Sequence, residues 1–218
     1  MLLSMLGDKK IEDFPIPFVA TAVSVNSGKE IILNKGKAVD AVLSTIAIPG
    51  ILPVQEIGGK ILMDGGVLDP VPVKAARWLD PSLPIVAVVL HDKPENFNIK
   101  DAPIPLSEVI PSSVIGQISK LRVVEALIIF SRSVEVSTER LSELNLILDK
   151  PDIIVRPQVG HYNLLDKVDP DALINAGIQA IRPHIKQLEK ACASHQALKR
   201  RLRFWSTSSR PRDWETLE

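Results

Sequence analysis

The uninterrupted apolar run "PIVAVVL", residues 84 to 90, constrains the fold more than any other stretch of this chain. Strands that alternate apolar and polar residues cover one face only, whereas a continuous run marks a strand buried on both faces of a parallel sheet. Parallel neighbours require crossover segments, so the expectation is a layered α/β fold.

The flanking text supplies the remaining elements. "PFVATAVSVNSGKEIIL" reads as two strands joined by Asn26-Ser27-Gly28-Lys29, residues that tolerate the positive φ of a tight hairpin. Val39, Val42, Leu43 and Ile46 share the spacing of one helix face, and Pro49-Gly50 ends that helix. A second hairpin runs from Ile51 to Met63 around Gly58-Gly59. A helix is expected from Val71 to Leu79, with Pro72 in its first turn. Downstream come a polar loop over 92–105, a long helix from about Leu106 to Val136 and a second helical piece, "SELNLILDK". "DIIVRP" reads as a short strand and "DPDALINAGIQAIRPHIKQLEKA" as one helix capped near Asp169. "MLLSMLGDKK" reads as the tail of a helix.

Composition narrows the function classes. The 26 basic residues balance the 26 acidic ones, so no overall field draws the chain to nucleic acid. Cys192 is the single cysteine, which excludes an internal disulfide and fits a reducing, cytoplasmic setting. No apolar span of roughly 20 residues suggests a membrane crossing. Residues 196–218 form a basic tail with Trp205 and Trp214 but no periodic apolar face, expected to be disordered, or else to touch a membrane surface peripherally.

Chemistry concentrates in "ILMDGGVLDPVPV", residues 61 to 73. An apolar strand delivers Asp64 into Gly65-Gly66, where the absence of Cβ atoms lets the backbone turn and approach another segment closely. Ligands and reactive groups in α/β folds collect outside the carboxyl ends of strands. A carboxylate there is able to accept a hydroxyl proton. The same residue also fits a plain role, capping the N–H groups of the following turn.

From Pro15 to Val89 the sequence resembles the second half of the patatin-like phospholipase domain in its bacterial form. The matching text is "PIPFVATAVSVNSGKEIILNKGKAVDAVLSTIAIPGILPVQEIGGKILMDGGVLDPVPVKAARWLDPSLPIVAVV": a "PF" strand into a hairpin, a helix ending "AIPG", a hairpin ending "DGG", and "PV" opening the next helix. A weaker likeness continues through "DIIVRP" and "LINAGIQA", so that residues 1–195 are expected to form the C-terminal part of that domain. The resemblance implies a three-layer α/β/α fold, incomplete at its N-terminal side. It implies a lipid acyl-ester hydrolase that pairs a serine with an aspartate and needs no cofactor or metal. Asp64 matches that aspartate, the proton acceptor, and Gly65 and Gly66 match the loop-shaping glycines, while Asp69 and Pro70 lead into the next helix.

The family's nucleophile sits in G-x-S-x-G, a strand-to-helix elbow, and no such motif occurs in this sequence. Ser44 lies inside a predicted helix, where a packing or backbone-bonding role is expected; Ser4, Ser24 and Ser27 also lack an elbow. His91, His161, His184 and His195 are scattered, and only His91 follows a strand end. Three explanations are open: a truncated gene, a subunit completed by a second chain that supplies the serine, or an inactive remnant that binds lipid or protein. The expected partners are a phospholipid-like ester, a membrane surface and that second chain.

Overall fold

The computed structural model describes residues 2–91, 122–162, 167–193 and 214–216. The chain mixes helices and strands as an α/β protein. Helix α1 (Leu2–Leu6) precedes the hairpin of β1 (Ala20–Ser24) and β2 (Glu30–Leu33), and helix α2 (Ala38–Thr45) follows. The second hairpin, β3 (Gln55–Ile57) and β4 (Lys60–Asp64), turns on Gly58 and Gly59, whose φ values of 57° and 72° suit a two-residue turn. Then come α3 (Val73–Leu79), β5 (Val86–Val88), α4 (Arg122–Asp149), β6 (Ile153–Val155), α5 (Pro170–Ile181), α6 (Ile185–Cys192) and β7 (Trp214–Thr216).

Five strands form one sheet in the order β3-β4-β1-β2-β7. Its first four strands are antiparallel to their neighbours, and only β7 joins β2 in parallel. Alternate residues of the sheet face opposite layers. Ala20, Ala22, Ile31, Leu33 and Leu62 pack with Ala38 and Ala41 of α2. Ile32 turns the other way, onto Ala75 of α3, with Trp78 and Val19 beside it. The sheet is therefore covered by α2 on one face and α3 on the other, and every residue of β1 and β2 is buried.

The run at 84–90 behaves differently from its expectation. Strand β5 is parallel to β6, as predicted, but the two form their own small sheet. Ile85, Ala87 and Val89 are buried against Val73 and Leu146, whereas Val88 and Leu90 are 51% and 62% exposed. Burial alternates here, and burial on both faces belongs instead to the antiparallel β1 and β2.

Other boundaries shift for local reasons. The face of α2 that meets the sheet consists of Ala38, Val39, Ala41 and Ser44, while Ile46 lies exposed. Small side chains allow the helix axis to come near the strands, so size and not apolarity alone selects this face. The two predicted helical pieces around Val136 are one helix: Ser133 and Ser137 donate their hydroxyls to the carbonyls of Ile129 and Ser133, both at 2.8 Å. Such bonds keep hydroxyl residues inside a helix instead of breaking it. The reverse happens at Pro183, where the single helix expected from Asp169 divides into α5, a 3-10 turn at Arg182–His184, and α6. Pro72 is the N-cap of α3, one position before its first turn. Within the tail expected to be unstructured, Trp214–Thr216 adds a strand to the sheet edge. The predicted loop over 92–105 and the helix onset at Leu106 lie outside the described residues. Among the described residues no helix is long and apolar enough to cross a membrane.

Candidate functional site

Asp64 is the last residue of β4, an internal strand held by β3 on one side and β1 on the other. In the β1 register it lies opposite Ala22 and shares the sheet face of Leu62, the face covered by α2. Its N–H donates to the Ala47 carbonyl just beyond α2, 3.0 Å away. The backbone bearing this carboxylate is thus tied to β1 and to the end of α2 together.

The side chain is half-buried, and its Oδ1 accepts the Gly66 N–H at 2.7 Å. This is the turn-capping bond, with Asp64 as N-cap of the 3-10 turn Gly65–Val67. Among the described residues no donor is bonded to Oδ2. One oxygen fixes the group and the other keeps its acceptor capacity. Burial raises the pKa of Asp64 above the ordinary carboxylate value, and the Gly66 N–H opposes that rise. A desolvated carboxylate of raised pKa is a stronger proton acceptor than one in water.

Gly65 earns its place by space rather than by torsion. Neither Gly65 nor Gly66 has a positive φ. A Cβ on Gly65 would stand 2.5 Å from both the carbonyl oxygen and the Oγ1 of Thr21, so only glycine fits against β1. A Cβ on Gly66 would lie 3.1 Å from Oδ1 of Asp64, crowding the carboxylate that its N–H holds. Close approach to another segment occurs at Gly65 alone, against Thr21, and the turn itself uses ordinary backbone angles.

A second carboxyl group supports the turn and a third lies near it, and no motif marked them as a pair. Asp69, only 5% exposed, donates its N–H to the Gly65 carbonyl at 3.0 Å. Its Oδ1 accepts from Nδ2 of Asn145, on α4, at 3.1 Å, and the same amide reaches the Leu68 carbonyl at 3.4 Å. Burial pushes the Asp69 pKa up to about 6; Asn145 and Lys74 oppose the rise and Asp149 adds to it. Asp149 is also raised by burial, with Lys74 Nζ at 3.6 Å from its Oδ1. Arg77 donates to the Asp149 and Lys150 carbonyls at 2.8 and 3.2 Å, closing the end of α4. The polar residue Asn145 on a face of α4 that also carries Ser142 and Leu146 was the available sequence signal.

No serine among the described residues is hydrogen-bonded to Asp64. Ser44 is fully buried and donates to the Asp40 carbonyl at 2.9 Å, the backbone-bonding role expected of it. Ser24 is buried and its Oγ accepts the Ser27 N–H. His91 Nε2 lies 3.0 Å from Ser142 Oγ, and Ser142 is wholly buried within α4, so the pair ties the end of β5 to that helix. His161 stacks on Tyr162, His184 faces Gln187, and His195 lies outside the described residues.

Residues 1–77 match the family model for patatin-like phospholipases, a span that runs from α1 through most of α3 and contains the whole Asp64 turn. An uncharacterised NTE family protein of Mycobacterium tuberculosis is 36% identical over 81 residues, which are 37% of this chain and 22% of that protein. Another from the same organism is 24% identical over 185 residues, 84% of this chain and 31% of that protein. A lysophospholipase of Saccharomyces cerevisiae is 32% identical over 71 residues, 33% of this chain and 4% of that protein. The chain thus spans less than a third of the length of each of these relatives.

Proposed function

We propose that this chain, whose residues 1–77 match the patatin-like phospholipase family model, is part of a lipid acyl-ester hydrolase in which Asp64 is the proton acceptor. The observation that carries this reading is the state of Asp64: backbone anchored on two sides, one carboxylate oxygen held by Gly66, the other open, and basicity raised by burial. The phospholipase family model and the lysophospholipase among the relatives favour a phospholipid-like ester as substrate.

In the proposed reaction Asp64 Oδ2 takes the proton of a serine hydroxyl as that oxygen bonds to the acyl carbonyl carbon. The tetrahedral intermediate then collapses, the ester C–O bond breaks, and the proton passes from Asp64 to the departing alcohol. Water, deprotonated by the same carboxylate, releases the acid and restores the serine. The dyad requires no metal or cofactor. The serine is supplied by a segment carrying G-x-S-x-G, a motif these residues lack.

Two measurements test this together. The 218-residue chain alone is expected to show no turnover of short acyl esters. Mixed or fused with a segment bearing the elbow, it should hydrolyse them, and Asp64→Asn should lower kcat by at least roughly a hundredfold, as loss of a general base does. Equal activity of the Asn variant would remove Asp64 from the chemistry.

A further inference from the structure

The peptide that joins Gly65 to Gly66 is hydrogen-bonded at both ends. Its N–H donates to Asp64 Oδ1 at 2.7 Å. Its carbonyl accepts the N–H groups of Leu68 at 3.1 Å and of Asp69 at 3.0 Å. In a planar trans peptide the C=O and N–H point in opposite directions and turn together, so whatever fixes the carbonyl also aims the N–H at the carboxylate. Thr21 leaves no room beside Gly65, which blocks movement toward β1 and leaves rotation of this peptide as the freedom to be restrained.

The restraint comes from α4, where Asn145 lies 76 positions along the chain from Asp69. Its Nδ2 is 3.1 Å from Asp69 Oδ1 and 3.4 Å from the Leu68 carbonyl, and these are the two residues whose N–H groups hold Gly65. Carbonyl and carboxylate oxygens both accept, so the Asn145 amide is the donor to each and its two N–H bonds suffice. Asp69 is buried, so bulk water does not replace a bond lost there. Docking of α4 does not itself depend on this amide. Leu146 packs with Val73, and Arg77 donates to the Asp149 and Lys150 carbonyls at the end of the helix. Removing the donor at position 145 therefore loosens residues 68 and 69 without detaching α4.

We infer that Asn145 is a positioning residue for Asp64: through Leu68 and Asp69 it fixes the Gly65–Gly66 peptide, and through that peptide the orientation of the carboxylate. The inference rests on the reading of Asp64 as proton acceptor for its catalytic consequence, though not for the coupling itself. Asn145 touches no reacting atom. A carboxylate that rotates away from the incoming hydroxyl spends less time in a reactive geometry, which lowers kcat and leaves substrate binding alone.

The test compares the full chain with Asn145→Asp, which keeps the shape of the side chain and removes both donors, and with Asn145→Ala, which removes them without adding charge. Amide NMR reads the coupling in the absence of substrate. In the parent chain the Gly66 amide shift is expected to follow the titration of Asp64, identified by its loss in Asp64→Asn. Both position-145 variants should show a smaller dependence, and Gly66 amide exchange should quicken by roughly tenfold, the protection an ordinary hydrogen bond confers. The Asp64 midpoint should rise, because the Gly66 N–H that opposes the effect of burial is weakened. Arg77→Ala, which loosens the end of α4 without touching Leu68 or Asp69, should leave these signals as in the parent. In the enzyme completed by a serine-bearing segment, Asn145→Ala should lower kcat roughly tenfold at unchanged KM. The proposal is overturned if either position-145 variant, folded by circular dichroism, keeps the parent's Gly66 and Asp64 signals. It is overturned equally if Arg77→Ala moves them as far, or if Asn145→Ala leaves kcat unaltered in an enzyme that Asp64→Asn inactivates. Should Asp64→Asn prove fully active while the amide signals move as expected, the hydrolase reading falls and the positioning of Asp64 stands.

Discussion

A single methyl group separates the Asp64 turn from a clash with the sheet. Thr21 presents both its carbonyl oxygen and its hydroxyl to Gly65, and each would sit 2.5 Å from an added Cβ. One of these atoms is main chain in a fully buried strand, so it has no rotamer into which to retreat. Gly65→Ala should therefore destabilise the protein by about 2–4 kcal/mol, at the upper end of overpacking effects. Gly66→Ala should cost less, about 1 kcal/mol, because its neighbour at 3.1 Å is a side-chain oxygen able to shift. Urea unfolding of the two variants measures the difference, and equal midpoints would mean that β1 yields more readily than its burial implies. This residue-scale feature was legible in the sequence only halfway. Two glycines after a carboxylate signal close approach, but Thr21 lies more than forty positions away and nothing local identifies it as the neighbour.

Elements were legible where their signals are local. Both hairpins follow from glycine turn chemistry, and α5 follows from Asp169, whose side chain caps the Asp171 N–H at 3.1 Å. The junction of α3 with α4 was not legible. No single motif joins Asp69, Lys74, Asn145 and Asp149, which meet where Val73 and Leu146 pack together. That junction sets a pH dependence whose sign can be worked out. A carboxyl group with a raised folded pKa binds more protons folded than unfolded between the two values, so stability falls as pH rises through that window. For Asp69 the window runs from the ordinary carboxylate range to about 6, and Asp149 and Asp64 shift in the same direction. The penalty at neutral pH from Asp69 is at most about 3 kcal/mol. Asp69→Asn should raise stability at pH 7.5 by roughly 1–2 kcal/mol and leave it nearly unchanged at pH 4, where Asp69 is already neutral. Denaturant titrations at the two pH values check this, and an Asn variant that tracks the parent at both would show that the burial penalty is relieved in some other way.

At the scale of the whole molecule, α3 joins two sheets of unequal strength. Ala75 and Trp78 serve the five-stranded sheet, while Val73 faces Ile85, Ala87, Val89 and Leu146 around the small one. The layered α/β fold was legible because alternating hairpins and helices permit few other architectures. What the run at 84–90 does not encode is how many faces of its strand are covered, since apolarity is the same whether or not a neighbour is in place. The consequence is uneven protection. The paired amides of Ala22 and Ile31 lie in strands covered on both faces and flanked on both edges. The Ile153 N–H to Ile85 and the Val89 N–H to Val155 join a pair of strands that buries one face and leaves Val88 and Leu90 in solvent. Local opening of such a pair exposes less apolar surface than global unfolding, so it costs less free energy. If the two sheets differ by about 2 kcal/mol in opening, amide exchange at Ile153 and Val89 should run about thirtyfold faster than at Ala22 and Ile31. Native-state exchange followed residue by residue measures that ratio. Identical rates at both sheets would mean that α3 couples them into one cooperative unit, whereas the expected ratio would mark β5 and β6 as the part of the fold that opens first.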